Sequence, residues 1–195
     1  MADITSTTPV QQLEHSVSAL YAAKNPGRDE LCDWLWANHV IVVADNATRL
    51  ATRFGADREL ARAGALLHDI ADTKMSCFTP NHGEASLEIA RDLMQQAGFN
   101  NEDIKIVVND AIRYHGCHGD EAPASLVGKV LATADALAHL QTDFYIFLVK
   151  TMKRDKHMIL QKIERDFHKK ILFDEVREEC RSRYEQLKTQ LAQQY

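Results

Sequence analysis

The sequence predicts an all-α protein, a helical bundle of about eight to ten helices. Three observations carry that expectation. Almost no stretch alternates apolar and polar residues with period two. Apolar side chains recur instead at intervals of three and four. Pro and Gly, which punctuate strands and turns, number only four and eight in 195 residues.

Thr8 followed by Pro9 reads as an N-cap and first-turn pair, opening a helix through about Lys24. Asn25-Pro26-Gly27 is a turn. From Asp29 a helical pattern runs to Phe54, as one helix or two, with Leu31, Leu35, Val42, Val43 and Leu50 apolar and Gly55 as its stop. Asp57 caps the next helix, which carries Leu60, Ala63, Leu66 and Leu67 on its buried side. The stretch Thr73–Asn81 is a loop. Helices come next over about Gly83–Ala97, Glu102–Tyr114 and Ser125–Gln141, with Gly98 ending the first and Asn100 or Asn101 capping the second. After Asp143 come two or three more. One carries the stripe Leu160, Ile163, Phe167 and Ile171, another the stripe Val176, Cys180, Tyr184, Leu187 and Leu191. No repeat or linker interrupts the chain. It reads as a single helical domain over 1–195, with an N-terminal helix in 1–25, a core of about 30–150 and a C-terminal helical extension over 150–195.

Composition narrows the function. Apolar residues make up 45% and charged residues 26%, ordinary for a globular protein. The start, MADITSTTPVQQLEHS, lacks a basic region and an apolar stretch, and no apolar run approaches roughly 18 residues, so a cytoplasmic location without membrane contact is expected. Cys32, Cys77, Cys117 and Cys180 form no CxxC pair and read as reduced thiols. Net charge is −5, but Lys150 to Lys170 alone carries +5 and leaves −10 to the rest. An acidic body disfavours a general nucleic-acid binder. The basic run reads first as the wet side of an amphipathic helix.

The residues that carry chemistry are imidazoles and carboxylates set in apolar helices. His39 lies mid-helix; His68 and Asp69 end an apolar helix; His82 opens one; His115 ends another; Asp135 sits mid-helix in GKVLATADALAHL. Each alone is weak, because a single His on an apolar helix is more often a hydrogen-bonded core residue. Together they differ. Asp69 after Leu66-Leu67, and Asp135 among Ala and Leu, are costly to bury unless a cation compensates them. Neutral imidazole and carboxylate from several helices can close a coordination sphere around a borderline divalent metal.

In the order and setting of these residues the chain resembles the HD superfamily of metal-dependent phosphohydrolases. That signature is a His on one helix, an HD pair ending a later one, and a distant Asp, here His39, His68-Asp69 and Asp135. The resemblance covers about residues 30–150. Members with two metals add two His between the HD pair and the last Asp, and His82 in NHGEAS and His115 in IRYH match them. The resemblance then implies that Asp69 bridges two ions, that His39, His68 and Asp135 hold one, and that His82 and His115 hold the other. His118 is an alternative ligand or a polar loop residue. The cofactor expected is one or two divalent ions, Fe, Mn, Co, Ni, Mg or Zn, and the substrate a nucleotide or other small phosphorylated metabolite.

Lys74, Arg113 and Lys129 are candidates to meet substrate phosphates, with Asp69 and Lys74 as catalytic candidates; the alternative for each basic residue is a solvated helix face, which Lys74 fits first. Two rivals stand beside hydrolysis. Relatives with six such ligands bind two irons and activate dioxygen on polyols or phosphonates. A regulatory protein could also keep a metal without turnover, and Phe167, Phe173 and Tyr184 could support a homodimer, although they read first as core.

Overall fold

The computed structural model describes residues 7–29 and 31–194, and no strand occurs among them. Helix α1 (Pro9–Ala22) starts as its sequence dictates: Thr8 Oγ1 accepts from the Gln11 amide while Gln11 Oε1 accepts from the Thr8 amide. Val10, Leu13, Val17 and Tyr21 are its buried stripe. The pattern after Asp29 is one continuous helix, with α2 (Cys32–Leu35) passing through a π-helical turn, Trp36–Val40, into α3 (Ile41–Phe54). Gly55 ends it at φ 75°, a left-handed conformation that glycine adopts without a Cβ clash. Asp57 caps α4 (Arg58–Leu67) by accepting from the Glu59 and Leu60 amides.

Beyond α4 a 3-10 turn, Ile70–Thr73, redirects the chain. Helix α5 (His82–Gln96) begins on His82, and Asn100 caps the short α6 (Asn101–Ile104). A π-helical run, Lys105–Ile112, extends α6. Ser125 caps α7 (Leu126–Gln141), and then come α8 (Phe144–Lys150), α9 (Lys156–Arg165) and α10 (Asp174–Gln194). A third π-helical turn, Asp166–Lys170, continues α9. Nothing in the apolar periodicity marks these π turns. Each adds a residue to a helical turn and so rotates the remainder of its helix, and such bulges gather at functional sites.

Helix α7 is the centre. From Val127 to Leu140 only Lys129 is exposed, as expected of a helix that is apolar nearly all round. Helices α3 and α4 pack on it and on each other, with the 105–112 run on another side. The C-terminal helices close the remaining face, with Phe167 stacked on Tyr184 at 3.9 Å and Phe173 on Phe54 at 3.9 Å. Those aromatics are therefore packed within the chain. One predicted stripe shifts: Ile159, not Leu160, precedes Ile163 in the core. No helix among the described residues is long and apolar enough to cross a membrane.

Candidate metal centre

Three side chains from three helical segments meet against α7. The π turn carries His39, the last residue before the chain leaves α4 is His68, and α7 supplies Asp135; all three are at most 3% exposed. His39 Nε2 lies 3.1 Å from His68 Nε2 and 3.3 Å from Asp135 Oδ1. His68 Nδ1 donates to the Ala65 carbonyl at 2.7 Å. That bond leaves its Nε2 bare and turned inward. Asp135 Oδ2 is taken by the buried ammonium of Lys170, but Asp135 Oδ1 is buried without a hydrogen bond, and so is His39 Nδ1.

A buried carboxylate oxygen surrounded by imidazole lone pairs costs free energy unless a cation sits among them. The ligand atoms of His39, His68 and Asp135 lie within 4.8 Å of one another. These residues fit a divalent cation.

A fourth imidazole, His139, joins them. It stands one helical turn after Asp135, with Nε2 3.3 Å from Asp135 Oδ1 and Nδ1 3.0 Å from Asp166 Oδ2. Its ring stacks on His39 at 4.9 Å and on Phe144 at 3.9 Å. Asp166, fully buried, also accepts from Tyr145 at 2.8 Å, Lys162 at 2.6 Å and Arg165 at 3.2 Å. Sequence reading misses His139, Asp166 and Lys170. The i, i+4 spacing of Asp135 and His139 in an apolar helix is an available signal; the other two depend on the last π turn.

Asp69 stands at the edge of this cluster, Oδ2 3.5 Å from His68 Nε2, its side chain about one third exposed (34%). Beyond it lies His115, whose Nδ1 donates to the Ile112 carbonyl at 2.7 Å and whose ring is 5.3 Å from that of His68. His82 borders the same space but is turned aside, with Nε2 2.8 Å from Asp72 Oδ1. Asp72 is a further residue that the sequence alone does not single out.

Electrostatics keep the imidazoles of His39, His139 and His115 neutral, whereas Asp72 and Asp69 raise that of His82 against its burial. Burial lowers the imidazole of His39, reinforced by His139, and lowers that of His139; burial pushes His115 down to about 4. Neutral imidazoles are competent ligands. Burial would raise Asp135, but His139 and Lys170 outweigh it and hold the carboxyl well below the usual range. Burial would raise Asp69 as well, and His68, His115 and His82 overcome that. Burial, with the neighbouring charges of Asp69 and Asp29, pushes Asp72 up to about 6 despite its bond from His82.

Other expected residues fall elsewhere. Lys129 is exposed on α7, because six positions are about 600° of helix, which leaves it roughly 240° around from Asp135. Lys74 comes directly after the 3-10 turn, is exposed, and lines neither cavity bordering the cluster. Arg113 pairs with Glu84 at 3.1 Å beside His82 and His115. His118 is exposed, with Nδ1 3.4 Å from Arg165.

Two cavities meet at Asp69. One, of about 740 Å³, reaches His39 and His139 and extends along α8 and α9. The other, of about 550 Å³, is lined by His68, His82, His115 and His118.

Comparison with known proteins agrees with this geometry. The chain is 35% identical over 100 residues to Ribonuclease Y of Treponema pallidum, an alignment covering 51% of this chain and 18% of that protein. It is 33% identical over 100 residues to Ribonuclease Y of Bacillus subtilis, covering 51% and 17%. The chain thus spans under a fifth of these relatives. In fold it resembles a crystal structure described as a predicted HD superfamily hydrolase from an uncultured Thermotogales bacterium, with a TM-score of 0.62, 22% identity, and coverage of 94% of this chain and 90% of that one. The family model for the HD domain matches residues 36–140, from the turn that carries His39 to just beyond His139. The chain belongs to the HD domain family.

Proposed function

We propose that this chain is a metal-dependent phosphohydrolase that cleaves a phosphoester or phosphoanhydride of a nucleotide or other small phosphorylated metabolite. The unpartnered, buried Asp135 Oδ1 among inward-facing imidazoles is the observation that carries this reading. His39, His68 and Asp135 would hold one divalent ion, with Asp69 beside it; His115, and His82 once released from Asp72, would serve a second. A bound divalent ion supplies Lewis acidity, lowering the pKa of a water and neutralising phosphate oxygens.

The chain's own residues do the rest. The Nδ1–H bonds of His68 and His115 to backbone carbonyls fix which nitrogen faces the site. Lys170 fixes Asp135 by one oxygen and leaves the other free. Asp69, which borders both cavities, would orient an attacking water by accepting a hydrogen bond from it. Lys162 and Arg165 bring positive charge to the larger cavity. The name Ribonuclease Y raises RNA as a substrate, but a net charge of −5 and a cavity rather than a long basic groove favour a small molecule.

The test is elemental analysis of protein purified without chelator, followed by a phosphoester and nucleotide panel with Mn, Fe, Co, Ni, Mg and Zn. At least one ion per chain and chelator-sensitive hydrolysis are expected. A metal-loaded chain that hydrolyses none of them would favour a regulatory role instead. Asp69, 3.5 Å from His68 and lining one cavity with His115, supports a second reading, a diiron oxygenase acting on polyols or phosphonates. Oxygen uptake after anaerobic loading with ferrous iron would decide for it.

A further inference from the structure

The cavity of about 740 Å³ that reaches His39 and Asp69 has a wall that phosphate chemistry does not use. Leu31, Leu35, Phe144, Leu148, Met158 and Ile159 form it. Three large apolar side chains are exposed among the described residues, Phe78, Leu126 and Met158, and two of them, Phe78 at 51% and Met158 at 66%, line this one cavity. Apolar surface concentrated in a concavity gains free energy when a ligand covers it.

Four cations, Lys153, Arg154, Lys162 and Arg165, line the same cavity beside the carboxylates of Asp69, Asp72 and Asp155. Asp155 caps α9, and Lys162 and Arg165 also donate to the buried Asp166. Arg154 also lies over the Phe78 ring at 3.4 Å, joining the loop before α5 to the α8–α9 turn across this space. The volume falls in the range of roughly 300–1,000 Å³ typical of small-ligand sites. A single-stranded nucleic acid would instead need a groove that tracks its backbone, with stacking platforms for successive bases.

We infer that the centre takes a small phosphoester whose body is apolar, alkyl or aryl, lying against Leu35, Phe144, Leu148 and Met158 with its anionic head towards His39 and Asp69. This deepens the phosphohydrolase reading and rests on it for the nature of the head group.

Phosphonates keep the head and resist hydrolysis, so they report binding apart from turnover. Calorimetry on the full chain loaded with manganese would compare methyl-, propyl- and hexylphosphonate with 2,3-dihydroxypropylphosphonate. Affinity should rise about fourfold per added methylene, and the dihydroxypropyl compound should bind at least about tenfold more weakly than propyl. Met158→Gln, at an exposed position remote from the metal-centre imidazoles, should weaken hexylphosphonate roughly fivefold and leave methylphosphonate unchanged. Equal affinities along the series, or tighter binding of a short oligoribonucleotide than of hexylphosphonate, would overturn the inference. A steep series without hydrolysis of any phosphoester would support the apolar subsite and refute the hydrolase; hydrolysis with a flat series would do the reverse.

Discussion

The two sides of Asp69 hold similar side chains in unlike states. On one side His39, His68 and Asp135 are buried, converge, and are braced from behind by the Ala65 carbonyl and Lys170. On the other side His115 is half-buried, and His82 spends its Nε2 on Asp72. The first is organised before any ion arrives, because the donors sit on helices packed around α7. The second needs a side chain to turn. Pre-organisation lowers the cost of binding, so two ions should bind with clearly unequal affinities.

The largest effect should come from Asp135→Asn. It removes the charge at the convergence point and leaves Lys170 as a buried cation without its partner. Metal affinity should fall more than about 100-fold, and the metal-free protein should lose about 3–5 kcal/mol. Elemental analysis and urea unfolding would measure both; an unchanged metal content would remove Asp135 from the tight side.

Lys170→Met breaks the same pair from the other end. Asp135 and Asp166 then lose a neighbouring cation, and the metal-free chain should be destabilised by about 3 kcal/mol. A divalent ion could compensate Asp135 where the ammonium no longer does. The rise in melting temperature on adding manganese should therefore be larger in this variant than in the parent. An equal rise would mean that Lys170 and the ion do not share Asp135.

The tight side is largely legible in the sequence and its supports are not. Asp69 and Asp135 stand out because a carboxylate in an apolar helix needs a reason, and the helix-ending His68-Asp69 pair supplies one. The fold is legible in the periodicity and caps of α1, α4 and α7. Lys170 and Asp166 look like members of a solvated basic run until a π turn at the end of α9 swings both inward. His82 reads as a ligand because its place at a helix start matches; that Asp72, three residues after Asp69, competes for it is a tertiary fact.

His82→Ala would sharpen the contrast at smaller cost. The tight ion should remain near one per chain while the weaker one loses at least about tenfold in affinity. A metal titration coupled to elemental analysis separates the two. Loss of both ions together would mean that the sides act as one unit.

The smallest effects should come from His118→Ala and Lys129→Ala. Lys129 projects from the exposed strip of α7, far around the helix from Asp135, and the exposed His118 has its Nδ1 3.4 Å from Arg165. Surface replacements of this kind usually change stability by no more than about 0.5 kcal/mol. Metal content should stay at the parent level in both, and hydrolysis within about threefold, since neither side chain reaches Asp135 or Asp69. A loss of metal in His118→Ala would move the second ion from the His82 side towards the 116–119 turn and redraw the boundary between the two halves of the centre.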